Sequence, residues 1–211
     1  MPDDPMNDLP HDHPRMPGGP KDPALAETRA WVERAVIGLN LCPFAKAPQV
    51  KGQVRYVLSE ARDGEALLAA LQAELETLAE ADPLLLETTL LVHPHVLTDF
   101  ADFNDFLDPA EALLEAMDLV GVVQIASFHP HFQFDGTDAD AIGNATNRSP
   151  YPTLHLLREA SIDRAVEAFP DPAAIFDTNL ATLQALGADG WEALRKQCRT
   201  DAAAASDTSP P

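Results

Sequence analysis

The chain has few basic residues and few cysteines, and these shortages exclude several classes of protein. Its 211 residues include 14 Lys and Arg against 34 Asp and Glu, for a formal net charge of −20. Phosphate backbones and anionic lipids repel such a charge, so we expect neither nucleic-acid binding nor membrane binding. The two cysteines, Cys42 and Cys198, are too few for a disulfide scaffold and indicate a reducing compartment.

Long hydrophobic runs and recognisable cofactor motifs are also missing. No apolar stretch is long enough to span a bilayer, and the first residues lack the basic and apolar regions of a signal peptide. We therefore expect a cytoplasmic protein. The sequence contains no Walker loop, no Gly-x-Gly-x-x-Gly and no Gly-x-Ser-x-Gly. A nucleotide cofactor is accordingly not expected.

Two polar, weakly hydrophobic segments flank one candidate domain. Residues 1–22 are rich in Pro, Asp, Gly and His, and too little apolar surface is available there to offset the entropy of ordering. Residues 200–211 have a similar character. We predict two disordered tails around a single domain over residues 23–199, which is long enough to bury a core.

The hydrophobic pattern of the domain alternates between strands and helices. Residues 54–58, residues 86–92 and a segment opening at Gly121 have the character of strands, and helical periodicity lies between them. This order predicts an α/β fold: a small, mainly parallel sheet in β-α-β-α-β order, flanked by helices, with extra helices at the C-terminus. Residues 153–159 fit either a helix or an edge strand, and we favour a helix after Ser149. Leucines at helical spacing predict a buried helix face at Leu67, Leu71, Leu75 and Leu78.

The tripeptide His-Pro-His occurs twice, at residues 93–95 and 129–131, each time where an apolar, β-branched run stops. If both runs are parallel strands of one sheet, four imidazoles gather at the edge where ligands bind in such folds. They are candidate ligands for zinc, manganese or iron: His93, His95, His129 and His131. Alternatively, the histidines cap the strands by hydrogen bonding to loop carbonyls.

A long polar loop follows the second tripeptide and supplies candidate substrate-binding residues. Asn144, Asn147 and Ser149 can form directed hydrogen bonds, and Arg148 can hold a carboxylate or phosphate with two parallel bonds. A helix starting at Ser149 would add backbone N–H groups suited to an anion. Arg158 could belong to the same wall. The alternative is a turn segment in which these side chains are structural.

Cys42 is a third candidate. It could act as a nucleophile paired with His129 or His131 if its sulfur were exposed and its pKa depressed. A buried structural cysteine is the alternative interpretation.

Four stretches of the sequence resemble a known family. They are residues 27–32 (Glu-Thr-Arg-Ala-Trp-Val), 41–45 (Leu-Cys-Pro-Phe-Ala), 127–130 (Ser-Phe-His-Pro) and 147–159 (Asn-Arg-Ser-Pro-Tyr-Pro-Thr-Leu-His-Leu-Leu-Arg-Glu). The chain is similar, over residues 24–198, to a bacterial domain family of unknown function (domain of unknown function 1415). The resemblance implies one cytosolic bacterial domain and transfers no catalytic residues.

The sequence therefore predicts an enzyme, hydrolase-like and metal-dependent or using histidine acid–base chemistry, that acts on a small anionic or polar metabolite. We place the chemistry at His129 and His131, with His93 and His95 as a supporting wall. Two alternatives remain: a non-catalytic binding or adaptor protein with structural histidines, and a thiol enzyme that uses Cys42. The sequence does not indicate an oligomeric state.

Overall fold

The computed structural model describes residues 22–167, 171 and 174–207. Of the tail predicted over residues 1–22, residues 1–21 fall outside this part of the chain, whereas of the tail predicted over residues 200–211 only residues 208–211 do. Two portions of them are described: Asp22, which caps the first helix, and residues 200–207, which continue the last helix.

The centre of the fold is a four-stranded mixed sheet. Its strands are β1 (Val54–Leu58), β2 (Thr88–Val92), β3 (Val123–Phe128) and β4 (Thr153–Arg158), in the order β1-β2-β4-β3. β1 and β2 pair in parallel, whereas β4 is antiparallel to both β2 and β3. The α/β class is confirmed. The prediction of a mainly parallel, alternating sheet holds only for the β1–β2 pair.

The helix favoured over residues 153–159 is wrong, because residues 153–158 form the central strand β4. Leu154 and Leu156 are fully buried on one face of the sheet, while His155 points to the other. β4 forms hydrogen bonds with β2 on one side and with β3 on the other. Its successive side chains therefore alternate between two faces of the sheet that are both covered. Ser149 consequently precedes a strand and begins no helix.

Helices cover both faces of the sheet. The described residues form seven α-helices: α1 (Pro23–Trp31), α2 (Lys46–Lys51), α3 (Gly64–Glu80), α4 (Phe100–Asp105), α5 (Leu107–Ala116), α6 (Glu159–Glu167) and α7 (Ala174–Asp207). A π-helical segment, Val32–Ile37, extends α1, and a 3-10 helix, Ile142–Asn147, precedes β4. None of the helices in these ranges is long and apolar enough to cross a membrane.

One face of the sheet packs against α3, α4 and α5. The side chain of Asp63 accepts a hydrogen bond from the backbone N–H of Ala66 and so caps α3, at a distance of 2.8 Å. The predicted apolar stripe of α3 is confirmed, since four leucines are fully buried: Leu67, Leu71, Leu75 and Leu78. This half of the core also holds Phe103 of α4 and Leu114 of α5.

The other face packs against α1 and α7. Trp31 of α1 and Leu183 and Trp191 of α7 belong to one buried cluster with Leu90 of β2. Gly187 interrupts α7 with φ 70° and ψ 171°, a conformation that a side chain disfavours. We expected a loose tail from residue 200, but the helix continues to Asp207 and Ala202 is buried. α7 packs against α1.

Candidate functional site

The two His-Pro-His segments meet at one edge of the sheet. β2 and β3 run in the same direction on either side of β4, so Val92 and Phe128 both pair with Thr153. The histidines that follow these strands contact one aromatic ring: the centroid of Phe103 lies 5.8 Å from that of His93 and 5.1 Å from that of His129.

His93 is fully buried and hydrogen bonds to the backbone around it. Its Nδ1 donates to the carbonyl of Val96 at 3.1 Å, and its backbone N–H donates to Pro152 O at 3.0 Å. The Nε2 atom has no hydrogen-bond partner in the structure. Burial lowers the pKa of His93 to about 4, because the charged imidazolium would lose its hydration. The ring is therefore neutral at physiological pH.

His129 uses both ring nitrogens on the backbone. Its Nε2 donates to the carbonyl of Leu97 at 3.2 Å, and its Nδ1 accepts from the N–H of His131 at 3.0 Å. Burial lowers the pKa of this histidine as well. Leu97 has φ 54°, a left-handed conformation that is unfavourable for leucine. His93 and His129 thus serve as strand-end caps, as the alternative interpretation of the tripeptides predicts.

His95 and His131 are exposed, in contrast to His93 and His129. The Nε2 of His95 lies 3.6 Å from a carboxylate oxygen of Glu60. The ring of His131 lies 5.9 Å from that of His129. Across the described ranges, no group of three or more His, Cys, Asp or Glu side chains is placed to hold a metal ion. The four predicted metal ligands are therefore not brought together as one coordination shell.

Asn144 and Asn147 organise the polar loop. The buried Asn144 accepts hydrogen bonds from Phe134 N–H and from the hydroxyl of Thr137, at 3.1 and 3.0 Å. It also donates to Asp138 O at 2.9 Å. Asn147 donates from its side chain to the β3 backbone. Both amides thus bond within the protein, and the loop is an ordered element.

Arg158 lies at the opposite end of β4 from the histidines. Its guanidinium donates to the carbonyls of Leu78 and Ala81, at the end of α3, and of Leu86, just before β2. These bonds satisfy carbonyls that a helix leaves unpaired at its C-terminus. Arg158 is thus separated from the other predicted substrate-binding residues.

Arg148 and Ser149 line a small cleft of about 10 Å³ between α1, the start of β4 and α7. Neither histidine tripeptide contributes to it. We call it the α1–α7 cleft, and its lining comprises Glu27, Trp31, Arg148, Ser149, Pro150, Arg195 and Cys198.

Two guanidinium groups face this cleft. Arg148 donates to Phe132 O at 3.0 Å and to Ala139 O at 2.6 Å, so backbone bonds hold it in place. Arg195 of α7 lies 3.3 Å from a carboxylate oxygen of Glu192. Burial and the positive charge of Arg195 lower the pKa of Arg148. The two cations repel each other, and an anion between them would relieve that repulsion.

Trp31 lines the cleft and has an unused hydrogen-bond donor. Trp31 is only 3% exposed, and its Nε1 has no hydrogen-bond partner in the structure. Leaving a buried N–H without an acceptor costs about 1–3 kcal/mol. Glu27, one turn earlier on α1, accepts a hydrogen bond from the hydroxyl of Tyr151 at 3.0 Å. Burial and this carboxylate raise the pKa of Tyr151 to about 12, so the phenol stays a donor at neutral pH.

The two cysteines occupy different places, and burial affects both in the same direction. Cys198 lines the α1–α7 cleft, and burial raises the pKa of its thiol to about 11. Cys42 follows the π-helical segment and is not part of the cleft lining. Burial raises the pKa of Cys42 more than the backbone N–H groups of Phe44 and Ala45 lower it. Both thiols are protonated at neutral pH, whereas a nucleophilic cysteine needs a depressed pKa.

Comparison with known families agrees with the motifs. A family model described as a protein of unknown function (DUF1415) matches residues 24–193. The chain belongs to the DUF1415 family. No curated protein and no solved structure matches it. The DUF1415 match includes Glu27, Trp31 and Arg148, but it ends before Arg195 and Cys198.

Sequence reasoning singled out two of the seven residues that line the α1–α7 cleft, Arg148 and Ser149, and missed the other five. Arg148 and Ser149 stood out because they lie in a polar loop. Trp31 lies within one of the stretches that resemble the family, but its position in the sequence also fits the apolar side of an ordinary helix. Arg195 carried no signal, since the pairing of α1 with α7 joins residues more than 160 positions apart.

Proposed function

We propose that this protein binds a small anionic metabolite in the α1–α7 cleft. The observation that carries the proposal is that Trp31, whose buried Nε1–H has no hydrogen-bond partner, lines a cleft that two arginines also line. A carboxylate or phosphate oxygen would accept from the indole and lie against both guanidinium groups, which favour oxyanions. Buried donors are nearly always satisfied in native proteins, so this one points to a ligand atom.

The size of the cleft limits the ligand. Its volume of about 10 Å³ is room for about one water-sized group, far below the range of about 300–1,000 Å³ that is common for drug-sized molecules. One oxyanion group of a ligand would therefore enter the cleft, and the rest of the molecule would stay at its mouth. The fixed bonds of Arg148 to Phe132 O and Ala139 O hold one cation in position before a ligand arrives, and such preorganisation favours binding.

These contacts support ligand binding. They do not provide groups for the hydrolysis that the sequence also predicts. The thiol of Cys198 is protonated, and the rings of His93 and His129 bond to loop carbonyls. His131 is exposed and does not line the cleft. A catalytic role for it stays a prediction.

The test is a titration of the full chain with propionate and with inorganic phosphate, followed by tryptophan fluorescence. We expect saturable quenching that persists in Trp191→Phe, because Trp31 lines the cleft and Trp191 does not. Arg195→Ala should weaken binding about tenfold, the usual scale for losing a charged hydrogen bond.

A matched control is available on the same helix. Lys196 is exposed and is not part of the cleft lining. Lys196→Ala should leave the affinity unchanged. The proposal is wrong if neither anion binds saturably, or if Arg195→Ala and Lys196→Ala weaken binding equally.

A further inference from the structure

A second, larger cavity lies at the end of the sheet opposite the histidines. Its volume is about 200 Å³, which is room for several water-sized groups. The lining includes Pro83 before β2, Val122 before β3, Arg158 at the end of β4, and Ser161 and Arg164 of α6. We call it the α6 cavity. None of these residues lines the α1–α7 cleft, so the two sites are separate.

Arg158 supplies this cavity with a cation that is fixed in place. Its Nε and Nη2 donate to three backbone carbonyls, at the end of α3 and before β2. Its Nη1 has no hydrogen-bond partner among the described residues. A guanidinium has five N–H donors, so the two on Nη1 remain for a ligand.

Arg164 supplies a second cation, on a more mobile side chain. Its Nη2 donates to Ser161 Oγ at 2.9 Å and lies 3.8 Å from a carboxylate oxygen of Glu87, which is too far for a hydrogen bond. The Arg164 side chain is 68% exposed and can adjust to a ligand. Together the two arginines make one wall of the cavity suited to an oxyanion.

The mouth of the cavity is apolar. Val122, in the lining, is exposed, and so is Val120, two residues before it. Leu84 and Leu85 follow Pro83 directly and are more than 70% exposed. Exposed apolar side chains that lie together mark binding sites more often than isolated ones do. A hydrocarbon chain placed on these side chains would leave water and remove them from water as well.

The helix beside the cavity has little packing of its own. α6 carries Ile162, Ala165 and Val166 at helical spacing, yet none of its residues is buried. Most helices in proteins owe their stability to packing of an apolar face. A ligand in the cavity would contact Ser161 and Arg164, and α6 would gain packing from it.

We propose that the α6 cavity binds an amphiphilic anion, namely a carboxylate at the end of an unbranched hydrocarbon chain. The carboxylate would accept hydrogen bonds from Arg158 and Arg164, and the chain would leave the cavity past Val122 and lie on Leu84. The volume is below the range of about 300–1,000 Å³ that is common for drug-sized ligands, so the cavity favours a short or medium chain.

The experiment varies the length of the chain at a constant charge. Calorimetric titration of the full chain with acetate, butyrate, hexanoate and octanoate should show affinity rising by about fourfold for each CH₂ group that leaves water. Octanol has the chain of octanoate without its charge and should bind at least about tenfold more weakly.

Two variants assign the binding to this cavity. Arg164→Ala should weaken octanoate binding about tenfold, and the exposure of this side chain means that the fold is preserved. Val122→Thr keeps the shape of the side chain but adds a hydroxyl, so it should weaken octanoate about threefold and leave acetate unchanged. Arg62→Ala is the control, because Arg62 is exposed and does not line the cavity.

The inference is wrong if octanoate does not bind, or if its affinity is no higher than that of acetate. It is also wrong if Arg164→Ala weakens binding no more than Arg62→Ala does, or if Val122→Thr has no effect, since octanoate would then be bound elsewhere. The α1–α7 cleft stands or falls separately, because Arg195→Ala tests it and Arg195 does not line the α6 cavity.

Discussion

His93 and His129 come from different strands but donate to the carbonyl oxygens of successive residues. His93 holds Val96 O and His129 holds Leu97 O, at 3.1 and 3.2 Å. The turn between β2 and α4 is thereby fixed from two sides, with Leu97 in a left-handed conformation. This arrangement explains why each apolar run ends in a histidine: the rings replace the strand hydrogen bonds that stop there.

His129→Ala should lower the free energy of unfolding by about 2–4 kcal/mol. The substitution leaves Leu97 O and the N–H of His131 without partners and opens a cavity beside Phe103. Urea denaturation measures the effect. His131→Ala is the matched control, because this exposed neighbour should change the stability by less than about 0.5 kcal/mol. Equal effects of the two variants would contradict the assigned role.

The stability should fall as the pH drops from 6.5 towards 4. Burial lowers the pKa of His93 from 6.5 to about 4, and that of His155 likewise to about 4. Between these values the unfolded chain binds protons that the folded chain does not, so acid favours unfolding. Each histidine contributes up to about 1.4 kcal/mol per pH unit in this window, and the contribution is fully present above pH 6.5.

The variant His93→Asn tests that assignment, because asparagine retains an N–H donor for Val96 O but does not titrate. We expect the slope of unfolding free energy against pH to decrease by about 1 kcal/mol per unit between pH 6.5 and 4. His95→Asn, at an exposed position, should leave the slope unchanged. A slope that His93→Asn does not alter would show that other groups carry the acid sensitivity.

Glu74→Ala should destabilise the protein by about 3–5 kcal/mol, the usual cost of removing one partner of a buried ion pair. Arg55 of β1 and Glu74 of α3 form two hydrogen bonds, at 2.7 and 3.1 Å, and their side chains are 9% and 11% exposed. The double variant Arg55→Met, Glu74→Leu should recover most of the loss, since it leaves no buried charge. Thermal and urea unfolding measure the stability of the single and the double variant. A double variant as unstable as Glu74→Ala would show that the unpaired buried charge is not the cause of the loss.

Cys42 should react slowly with iodoacetamide at pH 7 in the folded protein. Burial raises the pKa of this thiol, and the thiolate is the reactive form. In a Cys198→Ser background, mass spectrometry should show labelling about tenfold or more faster in urea than in buffer. Faster labelling of the folded protein would instead support the thiol-enzyme alternative.

Local sequence patterns were sufficient to predict most helices and strands of the fold, but they were insufficient to predict the strand β4. The leucine spacing of α3 predicts a helix, and the β-branched run of β2 predicts a strand. In β4, Pro150 and Pro152 and the alternation of Leu154 with His155 fit two structures locally. The decision comes from pairing with β2 and β3, which are distant in sequence.

The site shows the same division. The repeated tripeptide predicts correctly that His93 and His129 share one edge of the sheet. It does not reveal that their ring nitrogens bond to carbonyls of the turn at Val96 and Leu97, because those partners are set by tertiary packing. The α1–α7 cleft depends on a contact between the two ends of the domain, and no local pattern reports such a contact.

The position of β4 governs the order in which the chain can assemble during synthesis. β1 and β2 can pair as soon as both have left the ribosome, but among the described strands β3 pairs only with β4, the last of them to be made. Until residue 158 emerges, β2 and β3 each offer an unpaired edge to other chains. A nascent chain stopped before Thr153 would therefore be prone to aggregate, and the insertion of one strand completes the sheet and closes both edges together.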